Sequence, residues 1–287
     1  MSTAKTFIKS HPLLTYYTLV FVFSWGGILV VIGPGGILGT KEISKVMLPI
    51  VYLAPLVGPG VAGILSTALI DGRAGLGELL SRLRRWRVGA RWYAVALLTA
   101  PILMTAILFA LSLSSPVFLP AIVTSNDRAG LLLSGTVMGL AVGFFEELGW
   151  TGFAVPRWRV RHGVLATGLF MGFIWGAWHF PLFSGSARSS EGLAPILFLA
   201  VLLFSWLPAY RVLMVWVYER TASPLVVMLM HAPLAAIQMI LLPPAISAVG
   251  LVTFDLVFAA ALWIVVAVVV VVNRGQISRQ AVRTEVA

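Results

Sequence analysis

The chain contains no cysteine and only 10 acidic residues in 287. Without cysteine there is no disulfide framework, no thiolate nucleophile and no thiolate metal ligand, and nothing can be said of the redox compartment. Charge of either sign is scarce: Asp, Glu, Lys and Arg make up 10% of the chain, against about 25% in a soluble domain. That shortage, with 60% hydrophobic residues, excludes an ordinary water-soluble domain. No internal repeat, low-complexity segment or separate polar domain interrupts the apolar pattern, so 1–287 reads as one integral membrane domain. The net charge of +10 would suggest a nucleic-acid partner in a soluble protein. Here the positions of the charges give a better account, and no nucleic acid is expected.

Apolar stretches occur at roughly 13–33, 47–70, 92–114, 129–154, 164–183, 194–217, 224–242 and 251–273. A helix needs about 20 residues to cross a bilayer, so the pattern predicts an all-α polytopic bundle of about eight transmembrane helices. The first stretch follows Lys5 and Lys9, is too long for a signal h-region and lacks a cleavage site, so it reads as a retained helix. With eight spans, fifteen Lys and Arg residues fall on the side of both termini, among them Arg73, Arg82, Arg84, Arg85, Arg87, Arg91 and Arg157. Only Lys41, Lys45, Arg128 and Arg188 fall on the other. Positive charge accumulates on the cytoplasmic side, which predicts a multi-pass protein of the cell's inner (plasma) membrane with both termini inside. Between the second and third spans, "GLGELLSRLRRWRVGARW" repeats Leu76, Leu79, Leu80, Leu83 and Trp86 at helical spacing. An interfacial amphipathic helix is expected there, its basic face toward anionic lipid. Residues 274–287 read as a short polar tail.

An ionisable side chain at bilayer depth costs a few kcal/mol or more and calls for a reason. Glu146, Glu147, His179, Arg211, His231 and Asp255 are the cases here. At 1.5 Å per residue, Glu146 lies about 13 Å, His231 about 10 Å and His179 about 22 Å from the inner face, a band near mid-membrane. Arg211, near the inner end of its span, is expected to snorkel to the surface. Asp255 is expected near the outer headgroups, in a structural or water-facing role. Adjacent helical residues point about 100° apart, so one glutamate can face a cavity while the other faces a neighbouring helix. Burial disfavours a charged carboxyl unless a partner opposes it, and a carboxylate held close to neutrality suits a general base for water. A neighbouring imidazole could orient that water or stabilise an oxyanion. The residues alone thus indicate a hydrolytic or proton-handling site within a helical bundle.

Three segments carry a resemblance. "EELGWTGF" (146–153), "WGAWHFPLF" (175–183) and "SPLVVMLMHAPLA" (223–235) resemble, in order, the EExxxR, FxxxH and HxxxN/D motifs of the CPBP intramembrane proteases, the family of Rce1-type CAAX prenyl endopeptidases and bacterial Abi proteins. The similarity covers about 70–245. It implies that Glu146 activates water, His179 holds that water, His231 serves the oxyanion and Glu147 supports them. Three positions depart from the pattern. Thr151 replaces the arginine one turn beyond Glu147, leaving that carboxyl in need of another cation, a hydroxyl or a proton. Trp175 replaces phenylalanine, one aromatic for another. Ala235 stands where the third motif has its last polar residue, and Gln238 is a candidate substitute two turns beyond His231.

The resemblance implies an intramembrane endopeptidase acting on a membrane-associated or lipidated protein, with turnover reduced by Thr151 and Ala235. The alternative is a catalytically weakened member acting as a membrane immunity or scaffold protein. A proton-coupled transporter is disfavoured by the lack of repeated halves. No cofactor is expected. Zinc, if used, would take Glu146, His179 and His231 as a His₂Glu set with water in the open position, although the chain has no HExxH run.

Overall fold

A computed structural model describes residues 3–38, 40, 48–185, 190 and 192–273. Lys41, Lys45, Arg188 and the expected tail at 274–287 lie outside the described residues. Among those described there is no strand, and thirteen α-helical segments follow one another. The short α1 (Thr3–Ser10) leads into α2 (Pro12–Ile37), α3 (Leu48–Leu83) and α4 (Ala90–Ser112). After the short α5 (Ala121–Thr124), α6 (Arg128–Gly149) passes through a π-helical turn, Trp150–Ala154, into α7 (Val155–Arg159). Then come α8 (Val164–Trp178), α9 (Phe180–Phe183), α10 (Pro195–Phe204), α11 (Leu207–Thr221), α12 (Pro224–Leu241) and α13 (Ala248–Val272). The chain is an all-α, multi-pass membrane bundle. Seven helices among the described residues are long and apolar enough to cross a bilayer, with α10 and α11 forming one crossing.

The fifth expected span, 164–183, is shorter than the sequence suggested. Its apolar helix α8 covers 15 residues and stops at Trp178; His179 breaks the run, and α9 begins immediately before Pro181. A second difference concerns the amphipathic segment. It continues α3 past a kink at Gly72, where φ is +67° and only glycine is at ease, and it ends at Leu83. Trp86 therefore lies beyond the helix. Its basic face does not simply meet lipid either: Arg82 donates to the Gly152 carbonyl (3.0 Å) and to the Tyr218 hydroxyl (3.1 Å). Leu79 is buried against Leu148 and Met228, so this segment is clamped across one end of the bundle.

Apolar side chains gain nothing from leaving lipid for one another, so membrane helices associate where small residues let backbones approach. Two glycine ladders do this here. Gly135, Gly139 and Gly143, each four residues apart on α6, face α12: a Cβ on Gly139 would stand 2.4 Å from the Ala232 carbonyl oxygen. Gly168 and Gly172 on α8 face α11, where an added Cβ would stand 2.5 Å from the Val212 Cα and 2.4 Å from the Pro208 Cα, respectively. The first ladder ends three residues before Glu146. It brings that glutamate and its neighbour against the α12 turn that carries His231. The second ladder aligns α8, ending at Trp178–His179, with α11, which carries Arg211.

Candidate active site

Glu147 is bonded through both carboxylate oxygens. Its Oε1 and Oε2 accept from one Arg211 nitrogen, Nη1, at 3.0 and 2.9 Å. Thr151 Oγ1 donates to Oε2 at 2.5 Å, and His231 Nδ1 lies 2.9 Å from Oε1. Glu147 and Arg211 are both completely buried. A paired buried charge of this kind is stable only when the remaining hydrogen-bonding capacity is also met. The hydroxyl and the imidazole meet it for the carboxylate. On the cation, Arg211 Nε and Nη2 have no hydrogen-bond acceptor among the described residues. The guanidinium carbon instead sits 4.2 Å from the centre of the Trp175 ring, within cation–π range.

This corrects the expectation that Arg211 snorkels to the surface. It is the cation that Glu147 lacks at position 151, supplied from α11 instead of from the glutamate's own helix. A signal for it was present in the sequence: an arginine in the apolar run "LPAYRVLMVW" requires an acid or a path to water, and the acid was at hand. Asp255 is also buried, only 6% exposed on α13, and so does not face water.

Glu146 faces the other way, into a cavity of about 510 Å³ that it lines together with His179, His231, Trp175, Ala235 and Gln238. Trp175 is the hub of this wall. Its indole Nε1 donates to Glu146 Oε2 at 3.0 Å, which leaves Oε1 free for another donor. Its backbone carbonyl lies 2.8 Å from His179 Nδ1. A carbonyl oxygen can only accept, so Nδ1 of His179 carries the proton, and in the neutral ring Nε2 presents a lone pair. The Trp175 ring also meets both imidazoles edge-on, with centroids 5.3 Å from His179 and 5.1 Å from His231. The exchange of phenylalanine for tryptophan therefore adds a hydrogen-bond donor to the site, which the aromatic-for-aromatic reading missed.

The π-helical turn begins three residues after Glu147. Such turns carry one extra residue per turn and are frequent at functional sites. Here the turn starts at Trp150, so Thr151 reaches back to Glu147 from within it, and Trp150 and Phe153 fill the space beneath, both completely buried. Ala235 lines the cavity one turn beyond His231 and brings only a methyl group. Gln238 lines the same wall one turn further on.

Zinc does not fit this donor set. Among the described residues no three His, Asp or Glu side chains gather where one ion could be held. No step below passes through a metal.

Residues 128–237 match the family described as type II CAAX prenyl endopeptidase Rce1-like, an interval that contains Glu146, Glu147, His179, Arg211 and His231. A stretch of 38 residues is 42% identical to CAAX prenyl protease 2 of Methanococcus maripaludis, covering 13% of this chain and 14% of that protein. The similarity thus spans about one seventh of the length of that relative.

Proposed function

We propose that the chain, whose residues 128–237 match the type II CAAX prenyl endopeptidase Rce1-like family, is an intramembrane endopeptidase. It hydrolyses a peptide bond of a membrane-associated or lipidated polypeptide with water activated by Glu146. The observation that carries this reading is the single cavity on which Glu146, His179 and His231 converge, with Glu147 turned out of it.

The chemistry follows from the contacts. A water between Glu146 Oε1 and His179 Nε2 would donate one hydrogen to each, leaving its lone pair for the scissile carbonyl carbon. As the new C–O bond forms, Glu146 takes the proton and the carbonyl oxygen becomes an oxyanion. His231 serves that oxyanion through Nε2–H. Because its Nδ1–H is directed at Glu147, this requires the doubly protonated ring, for which the Glu147 carboxylate is the counter-charge. Collapse of the tetrahedral intermediate breaks the C–N bond, and the proton held by Glu146 passes to the leaving amine. Glu147, Arg211 and Thr151 touch no reacting atom; they hold His231 in place.

The distribution of Lys and Arg supports an inner-membrane orientation with cytoplasmic termini. The test of the function is direct. Purified protein in detergent or vesicles should cleave a membrane-anchored peptide, and Glu146→Gln should abolish cleavage while leaving thermal unfolding unchanged. Cleavage at the wild-type rate by Glu146→Gln rejects the mechanism.

One observation favours a second reading. The methyl of Ala235 stands where a donor would be expected, which suits a binder that has given up turnover. Such an immunity or scaffold protein would keep its cellular effect in the Glu146→Gln variant.

A further inference from the structure

The two ends of the bundle differ in charge and in filling, and the two differences are correlated. At one end Arg82 bonds to Gly152 and Tyr218, Arg157 pairs with Asp71, Arg159 pairs with Glu219, and Arg220 bonds to Asn273. Arg73, Arg84, Arg85, Arg87, Arg91 and Arg161 belong to the same end by their places on α3, in the α3–α4 connection, on α4 and in the turn after α7. At the opposite end the described residues contribute Arg128 alone among Lys and Arg, beside Asp127. Positive residues are retained on the cytoplasmic side, so the Arg128 end is the outer one.

From a floor at Glu146 and His231 the cavity extends toward that outer end. On α6 its lining residues are Met138, Val142 and Glu146, all on the Arg128 side of Glu147. On α12 they begin at His231 and run toward Leu241, and on α3 they are Tyr52, Pro55 and Leu56, close to the start of the helix. Below Glu146 the bundle is solid: Glu147, Trp150, Phe153 and Arg211 have no exposure at all. Tyr52 and Met239 line the cavity and are 48% and 43% exposed, so they mark its lip.

We infer that the site is reached from the extracytoplasmic side, and that its substrate is an apolar, membrane-anchored polypeptide segment presented at the outer leaflet. The word substrate rests on the endopeptidase reading above; the side of access does not. A lipid-anchored protein on the cytoplasmic face would meet the closed, arginine-covered end. The wall suits an apolar segment, being built largely of Leu, Met, Phe and Trp side chains, with the glutamate and imidazoles at its floor.

The natural absence of cysteine makes the test clean. Three full-length variants, Asn126→Cys in the loop before α6, Arg84→Cys after α3 and Met239→Cys at the lip, are produced in cells converted to sealed spheroplasts. They are treated with a membrane-impermeant maleimide, which reacts with thiolate in contact with water. Asn126→Cys and Met239→Cys should be modified in the sealed preparation, and Arg84→Cys only after the membrane is opened. Modified Met239→Cys should also lose the peptide cleavage that the same variant shows before labelling. Modification of Arg84→Cys with protection of Asn126→Cys overturns the inference, as does a Met239→Cys that is refractory from outside or keeps full cleavage once modified. Failure of the endopeptidase reading looks different: no cleavage by any variant, with the labelling pattern intact.

Discussion

Glu146 and Glu147 are consecutive in the chain, yet they border two unlike regions. Around Glu147 the interior is filled and every carboxylate oxygen is bonded, to Arg211, Thr151 and His231. Around Glu146 it is hollow, and one indole holds one oxygen. The polar network sits where water is excluded, and the carboxylate proposed as general base sits where water can reach. A pair that looks redundant in the sequence is divided between a filled, bonded interior and an open cavity, and the 100° between neighbouring helical positions makes the division.

Removing the carboxylate on the hollow side should have the largest effect. Glu146→Gln keeps the Trp175 contact but cannot take a proton, and cleavage should fall by about 10²–10⁴, the usual contribution of a general base, with an unchanged unfolding temperature. On the filled side the loss should be one of stability. Arg211→Leu leaves Glu147 buried beside a hydroxyl and an imidazole, which should cost about 3–5 kcal/mol, while the double variant Arg211→Leu with Glu147→Leu should recover most of it. Denaturation in detergent followed by tryptophan fluorescence would read both. A double variant as unstable as the single one would break the comparison.

The contact that joins the two regions can be tested next. Gly139→Leu forces α6 away from α12 and should destabilise by about 1–3 kcal/mol, with loss of cleavage because His231 moves from Glu147. A smaller change is expected on the hollow side from Ala235→Asn, which places a donor one turn from His231. A turnover gain of about tenfold, or 1.4 kcal/mol, would show that the oxyanion is under-served in the natural chain. Unchanged turnover would assign that task elsewhere in the wall.

How legible this was in the sequence depended on whether the partner lay nearby in the chain. The spans and the three motif segments could be read because apolar length and local spacing are properties of the sequence itself. Arg211 could not be placed, because its partner is 64 positions away and nothing local distinguishes an arginine that snorkels from one that is bridged. The glycine ladders at 135–143 and 168–172 were present at the four-residue spacing that brings helices together, but only the fold shows which helix each faces. Trp175 was read as an aromatic and turned out to matter as a hydrogen-bond donor. The short α8 ends at Trp178 for a reason visible in "HFPLF": Pro181 lacks the N–H that a continuing helix would need there.

Three of the ten tryptophans, Trp175, Trp178 and Trp206, line the hollow. Indole emission responds to a change from water to hydrocarbon, so this chamber carries its own optical reporter. A peptide or lipid tail that fills it should shift the protein's intrinsic emission toward the blue, and a brominated tail should quench it. Occupancy can then be followed without a label and without turnover, even in a variant that has lost Glu146.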